Sequence, residues 1–466
     1  MSTMTDAPPR LSLSEKVASF YSRYFPDSLI FALILTVIAM LLALIFTDAG
    51  VSGVSDAWYG GFPMLFEFAF QLSFTYAAAL VLVDTPAVQR VVRGCARLVK
   101  TPQAAYIATG VLGALTSFLG WYIGPVVTAI FARSVAKEMN GVDYRLISAI
   151  AYSSFVISLT GLSGTIPLFV ATEGPLTDLI GGIIPLSSTT FTPMNLISGA
   201  AIVLTTTVVY WIIARNKKHV VSFKDMTLPG AHTFGDSDEA RDEDADLMGT
   251  SGSFADRVNT SRIPLLVAAV IFLAILVHQV ATVGLFGMNL NTVALIALVM
   301  GMLVQKNAMD YAKSFGRNLI STGSIMLQFP LYGGIAGVFA ATGLAGVLTD
   351  VIVSITPESL YITVTFLVTG LLNLFVPSAG SQFVATAPFL IPAGEELGVS
   401  SNHTIMAIMY GDIWTNLIQP FWALLYYPIL AVGTSLKVRD FMGYCLPMLI
   451  AVGIIWILAL NFLPLA

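Results

Sequence analysis

Apolar positions run unbroken along this chain, without the alternation of a half-buried strand or the polar stripe of a soluble helix. The runs predict membrane spans at 28–46, 62–83, 144–183, 195–214, 263–283, 289–304, 319–338, 403–430 and 441–463. About 20 apolar residues, rising 1.5 Å each, cross a hydrocarbon core of about 30 Å. Two further runs, 104–132 and 359–394, do not read as ordinary spans. The first is too short for the pair of crossings that the flanking charge pattern would otherwise demand, about 40 residues. Both hold breakers and hydrogen-bonding side chains without charge in the middle, Thr116 to Gly124 and Asn373 to Gln382. They are predicted to be re-entrant hairpins, over about 104–138 and 359–394. Two spans are also interrupted, 144–183 at "TGLSGTIP" and 403–430 at "TNLIQP".

Composition turns this pattern into a class. Of 466 residues, 56% are hydrophobic and 11% charged, against roughly a quarter charged in soluble proteins. An all-α polytopic membrane protein is expected, embedded in a lipid bilayer, with no nucleic-acid partner. The polar segment 1–27 carries Arg10, Lys16 and Arg23 and no cleaved signal peptide, so the first span is expected to double as an uncleaved signal. The net charge of −5 is concentrated in "GDSDEARDEDAD" at 235–246, a loop that reads as solvated within an acidic cytoplasmic linker, 215–262. Cys95 and Cys445 are the two cysteines, and no His and carboxylate cluster has metal-ligand spacing. Neither a disulfide, a structural metal nor a cofactor is expected.

Lys and Arg fall before the first span and in 90–100, 133–145, 215–262, 306–317 and 437–439, whereas loops 47–61, 184–194, 284–288, 354–358 and 395–402 have none. The positive-inside rule then gives nine crossings, with the amino terminus inside and the carboxyl terminus outside. Two halves match in order and oppose in orientation. Each has two spans, an interfacial arm (86–100; about 340–354), a hairpin, a broken span and a last span. The first repeat covers 28–214 and the second 284–466, joined by the linker and a linking span at 263–283. Inverted repeats with discontinuous helices characterise secondary transporters, whose sites lie near the midplane where the breaks meet.

Broken backbone at membrane depth must be satisfied by protein or line a path. The candidate substrate-binding groups are Ser117 and Trp121 on the first hairpin, with Thr160, Gly161, Ser163, Gly164 and Thr165 in the first broken span. The second half adds Ser378, Gly380, Ser381 and Gln382, then Thr415 and Gln419. None is charged, so a small anion would be held by hydroxyls, amides and helix N-termini. Asn373, Asn416 and Asp412 are candidates for a coupling cation, either a co-transported sodium ion or a proton. Glu67 reads as a paired or snorkelling outer-leaflet carboxylate, Arg133 and Lys137 as markers of the cytoplasmic end of the hairpin, and His278 as structural. Two other classes stay open. "GLSG" at 161–164 fits the GxSG of intramembrane serine proteases if a His base is near, and a passive channel would want a charged filter that is missing.

The stretches "DYRLISAIAYSSFVISLTGLSGTIPLFVATEG" (143–174) and "NLFVPSAGSQFVATAPFLIPAGEELG" (373–398), with "YFPDSLIFALILT" (24–36), resemble the bacterial short-chain fatty acid uptake family. That family lies within an ion-transporter superfamily that includes sodium-coupled dicarboxylate carriers. The resemblance implies cation-coupled uptake of a small carboxylate such as butyrate or acetoacetate across the cytoplasmic (inner) membrane, by alternating access and often as a homodimer. A sodium-coupled di- or tricarboxylate carrier is the related alternative. The chain departs from the family pattern at Ser158, Leu159, Thr160 and Gly161, where Trp-His-Gly-Gly is frequent, and at Phe383, where Trp is frequent. Substrate shape is expected to be read there.

Overall fold

A helix facing lipid exposes what a soluble helix buries. In α1 (Ser28–Phe46), Ile30, Leu33, Val37, Leu41 and Ile45 are exposed at helical spacing, while Ala32, Ala39 and Ala43 are buried. In α12 (Ile263–Val283), Leu266, Val270, Leu273 and Val277 are turned outward in the same way. Such contiguous apolar surface is incompatible with water and fits a bilayer. The computed structural model describes residues 28–216, 219–229, 253–376, 378–423 and 425–465. The polar segment 1–27 and the acidic run 235–246 lie outside the described residues. Among those described, six helices are long and apolar enough to span: Leu29–Phe46, Gly50–Val83, Pro193–Asn216, Ile263–Val283, Gly323–Thr342 and Val438–Phe462. The chain is a multi-pass, all-helical membrane protein, with one isolated β-bridge, Thr227 to Thr434, among the described residues.

After α1 come a bent pair, α2 (Gly50–Gly61) and α3 (Phe66–Val83), and an amphipathic α4 (Pro86–Leu98). A hairpin follows, α5 (Pro102–Leu119) and α6 (Gly124–Glu138), then α7 (Tyr144–Ser153), an irregular break, α8 (Thr165–Val170) and α9 (Pro193–Asn216). Beyond α10 (Phe223–Met226), α11 (Phe254–Thr260) and α12, the chain continues as a second set of helices. It runs through α13 (Leu290–Val304), a bent pair α14 (Ala308–Ile320) and α15 (Gly323–Thr342), α16 (Leu344–Ile355), and a hairpin of α17 (Glu358–Asn373) and α18 (Ala379–Glu396). It closes with α19 (Ser401–Thr415), a break, α20 (Pro420–Ala423), α21 (Tyr427–Leu430), α22 (Val438–Met442) and α23 (Leu446–Phe462).

Two expected loops are helices. Segment 47–61 forms α2, which packs on α15 through glycines: a Cβ on Gly61 would lie 2.4 Å from the Gly333 oxygen, and one on Gly337 2.4 Å from the Ala57 oxygen. Its small and polar residues carry no apolar run, so hydropathy passed over it. Segment 306–317 lies in α14, capped by Asn307, whose side chain accepts from the Asp310 amide at 2.8 Å. The first broken span is also shorter than 144–183. Its helix stops at Val170, where "TEGP" follows, and turns through Gly181 and Gly182, at φ 80° and 123°, carry the chain on. These φ values favour glycine.

Of the linker, the described part at 219–229 docks on the body, with Phe223 and Met226 buried. The Val221 amide donates to Asp143 Oδ2 at 2.8 Å, and the Tyr144 amide donates to the Val221 oxygen at 2.8 Å. On the far side, the Leu228 amide donates to the Gly433 oxygen at 3.0 Å. Phe223 lies edge-on to Tyr144, with centroids 5.0 Å apart, and 5.0 Å beneath the Arg133 guanidinium. Arg133 in turn donates to the oxygens of Ile429 and Leu430, both at 3.1 Å. This corner ties α6 and α7 to the end of the second broken span. Phe223→Ala is expected to destabilise the protein by about 3–5 kcal/mol, read as a lower melting temperature of the purified chain.

Candidate functional site

The first break and the first hairpin tip satisfy each other. The Leu162 amide donates to the Phe118 oxygen at 2.8 Å, and the Trp121 amide donates to Ser163 Oγ at 2.9 Å. Gly161 is needed for the approach, since a Cβ there would sit 2.1 Å from the Phe118 oxygen; Gly164 is equally tight against the Leu159 oxygen, at 2.1 Å. Carbonyls freed by the break find side chains. Asn195 Nδ2 donates to the oxygens of Thr160 at 3.0 Å and Thr190 at 2.7 Å, and the Thr190 hydroxyl donates to the Gly161 oxygen at 3.2 Å. Tyr410 donates to Asn195 Oδ1 at 3.1 Å, so α19 is tied into the same network.

The second half uses the same physics with different residues. Gln382 Nε2 donates to the Thr369 oxygen at 2.7 Å, the Thr415 hydroxyl to the Gly370 oxygen at 2.8 Å, and Gln419 Nε2 to the Asn373 oxygen at 2.7 Å. The freed oxygens of Asn416 and Gln419 accept from the Tyr152 hydroxyl on α7. Asn373 Nδ2 donates to Thr415 Oγ1 at 3.0 Å and also to Asn416 Oδ1. Close packing of α17 on α19 requires Gly411, where a Cβ would lie 2.0 Å from Thr369 Oγ1.

All four interruptions open on one cavity of about 120 Å³. Trp121 comes from the first hairpin tip, Thr165 from the first break, Ser378 to Gly380 from the second tip and Trp422 from the second break. Tyr76 of α3 and Gln328 of α15 close the sides, and no lining residue is charged. Tyr76, Trp121 and Trp422 form an aromatic wall, with the Trp121 ring 5.5 Å from Tyr76 and 6.0 Å from Trp422. The start of α18 also lines the cavity. The Ser378 side chain does not cap it, donating instead to Ser381 Oγ at 3.0 Å. The first amides of α18 therefore have no intrahelical acceptor and face an anion-compatible end of the helix dipole. The buried indole N–H of Trp121 likewise has no hydrogen-bond partner among the described residues.

A second group of unsatisfied atoms consists of acceptors. Asn373 Oδ1, Gln382 Oε1 and both carboxylate oxygens of Asp412 are buried without a hydrogen-bond partner among the described residues. Asp412 is 1% exposed. A carboxylate at that depth needs a proton or a cation beside it.

The family profile described as short chain fatty acid transporter matches residues 11–463. The chain belongs to this family. A provisionally named short-chain fatty acid transporter of Escherichia coli K12 is 32% identical over 452 residues, covering 96% of this chain and 99% of the relative. Another, from Haemophilus influenzae, is 31% identical over 458 residues, covering 97% and 99%. The crystal structure of the Alcanivorax borkumensis YdaH transporter has a similar fold, with a TM-score of 0.58 at 15% identity over 96% of this chain and 97% of that one.

In this short-chain fatty acid transporter family member, Trp121, Thr165, Ser378 and Gly380 of the sequence-derived residues reach the cavity wall. The others are placed elsewhere. Ser117 packs against Gly124 inside the hairpin, where a Cβ on that glycine would meet Ser117 Oγ at 2.3 Å. Gly161, Ser163, Gly164, Ser381, Gln382, Thr415 and Gln419 are buried and do not line the cavity, most of them in the bonds described above, and Thr160 lines a separate cavity of about 190 Å³ with Phe118 and Asn195. Asn373 and Asn416 are hydrogen-bonded to each other and Asp412 is buried on α19; none of the three lines the cavity. Phe383 is fully buried against Phe169, with centroids 5.7 Å apart, so the departure from the family pattern falls on packing rather than on the cavity wall. Ser163 and His278 do not meet: one is 1% exposed and the other lies on the exposed side of α12. Tyr76, Ser321, Ser324, Gln328 and Trp422 line the cavity and were not singled out from sequence. The lone amide of Gln328 within the apolar run of α15 was the available signal.

Proposed function

We propose that the chain takes up short-chain monocarboxylates, such as butyrate or acetoacetate, across the bacterial inner membrane by cation-coupled alternating access. The observation that carries this reading is the uncharged cavity where all four interruptions meet, with the unpartnered indole N–H of Trp121 and an aromatic wall. Its volume is well below the roughly 300–1,000 Å³ of sites for drug-sized ligands, which suits an acid of a few carbons. The carboxylate would take its hydrogen bonds from the first amides of α18 and from Trp121 Nε1–H, beside the Ser378 hydroxyl that stays bonded to Ser381 Oγ. The acyl chain would lie on Tyr76, Trp121 and Trp422. With no cationic side chain on the wall, a second carboxylate would stay uncompensated, so monoanions are favoured over di- and tricarboxylates.

The rest of the reading follows the charge pattern and the recurring helix order. We place nine crossings and two re-entrant hairpins in two inverted repeats, 28–214 and 284–466, with the amino terminus inside. The protein is a carrier rather than an enzyme, and a homodimer is the proposed assembly. Asp412 carries the coupling proton or sits beside the coupling sodium ion, with Asn373 and Asn416 as further oxygen ligands in the sodium case.

Trp121→Phe keeps an aromatic ring, smaller than the indole, and removes the donor. A hydrogen bond to a charged group contributes about 1.5–3 kcal/mol, so the KM for butyrate is expected to rise at least about tenfold with the fold intact. An unchanged KM would remove Trp121 from the site. Counterflow separates a carrier from a channel: unlabelled butyrate inside proteoliposomes is expected to accelerate uptake of label, and a channel would show no acceleration.

A further inference from the structure

We propose that the cavity between α4 and α6 binds the phosphate headgroup of an anionic phospholipid. It holds about 380 Å³ and is lined by Arg93 and Arg97 of α4 and by Arg133, Lys137 and Glu138 of α6. Four cations thus face one carboxylate, and that carboxylate is already shared with Arg97 at 3.5 Å. Arg93 and Arg133 are held by neutral acceptors: Arg93 donates to Gln89 Oε1 at 3.0 Å, and Arg133 to the oxygens of Ile429 and Leu430. Their charge is positioned but not cancelled. Arg133, a lining residue that is 6% exposed, is fixed over the Phe223 ring, so its charge is held in one place beside the cavity. Arginine forks match phosphate oxygens in pairs.

The surroundings favour a lipid over a free anion. On α4, beside Arg90, Arg93 and Arg97, Val91 is 67% and Leu98 77% exposed. A basic face next to an exposed apolar one is the composition of a helix lying in the membrane interface. Acyl chains would then lie along the apolar face of α4 while the phosphate enters between the arginines. Basic pockets of this kind on the positively charged side of a membrane protein take anionic headgroups.

The test is retention of lipid by the purified full chain, measured by native mass spectrometry after exchange into phosphatidylglycerol or phosphatidylcholine. Phosphatidylglycerol is expected to be retained in preference. Arg93→Gln and Lys137→Gln, measured separately, are each expected to weaken retention about fivefold, in line with the contribution of one cation near an anionic surface. Lys313→Gln, on α14 outside the cavity, is expected to leave it unchanged, and melting temperatures check that each variant is folded. Equal retention of the two lipids, or full retention in both cavity variants, would overturn the proposal. So would competition by inorganic phosphate as effective as that by phosphatidylglycerol, which would mark a site for a soluble anion. None of these readouts involves uptake, so the outcome is independent of the proposed transport cycle.

Discussion

Asp412→Asn is expected to abolish gradient-driven accumulation of butyrate in proteoliposomes while counterflow persists. The carboxylate is buried on α19, and neither oxygen has a hydrogen-bond partner among the described residues. An ionised carboxylate left so would cost far more than the roughly 1–3 kcal/mol of an unpaired neutral acceptor. It therefore requires a proton or a metal ion, and a group whose charge is tolerable only with a cation can couple cation movement to a conformational change. Asparagine keeps the shape and removes the titrating charge. Loss of coupling with retained exchange is the signature of a coupling residue; a merely structural Asp412 would lose both activities or neither. The gradient-driven initial rate is expected to fall at least about tenfold, equivalent to about 1.4 kcal/mol. Accumulation against a gradient at the wild-type level would remove Asp412 from the coupling path.

Gly161→Ala is expected to have the largest effect on the fold of the site. The added methyl would stand 2.1 Å from the Phe118 oxygen and 2.7 Å from its Cα, both backbone atoms that no rotamer change can move away. The hairpin and the broken span must separate, which strains the Leu162 to Phe118 hydrogen bond of 2.8 Å and the Trp121 to Ser163 bond of 2.9 Å. Overpacking of a side chain costs about 1–3 kcal/mol, and a clash with backbone lies at or beyond the upper end. Little folded protein is expected from this variant. Gly316→Ala is the control: it lies within α14 with nothing inside 4 Å of a Cβ, and it is expected to be neutral or stabilising by about 0.5–1 kcal/mol. Similar yields from the two variants would contradict the close approach at the break.

Hydropathy located the long lipid-facing helices, because residues such as Ile30, Val37 and Leu41 need only be apolar to do their work. It missed α2, whose glycines matter for how near two backbones come, a property that carries no hydrophobic signal. The polar residues of the breaks were visible in sequence, but their use was not. Gln382, Thr415 and Gln419 look like ligands until the carbonyls freed from α17 are located, and each then proves to donate to one of them. Conversely, Tyr76 and Trp422 look like ordinary apolar filling and stand on the cavity wall. Membership of the cavity depends on which faces the helices turn inward, and that is decided by contacts between segments hundreds of residues apart. The docking of Phe223 was hidden for the same reason: its partners Arg133 and Tyr144 belong to helices that precede it by a whole span.

The central claim is coupled carriage of a short monocarboxylate, and uptake of labelled butyrate into proteoliposomes under separately imposed sodium and pH gradients tests it most directly. The account predicts that one of the two gradients drives accumulation of butyrate above equilibrium, that acetoacetate competes, and that succinate does not. Uptake that merely equilibrates under both gradients, or accumulation of succinate or citrate instead of butyrate, would contradict it.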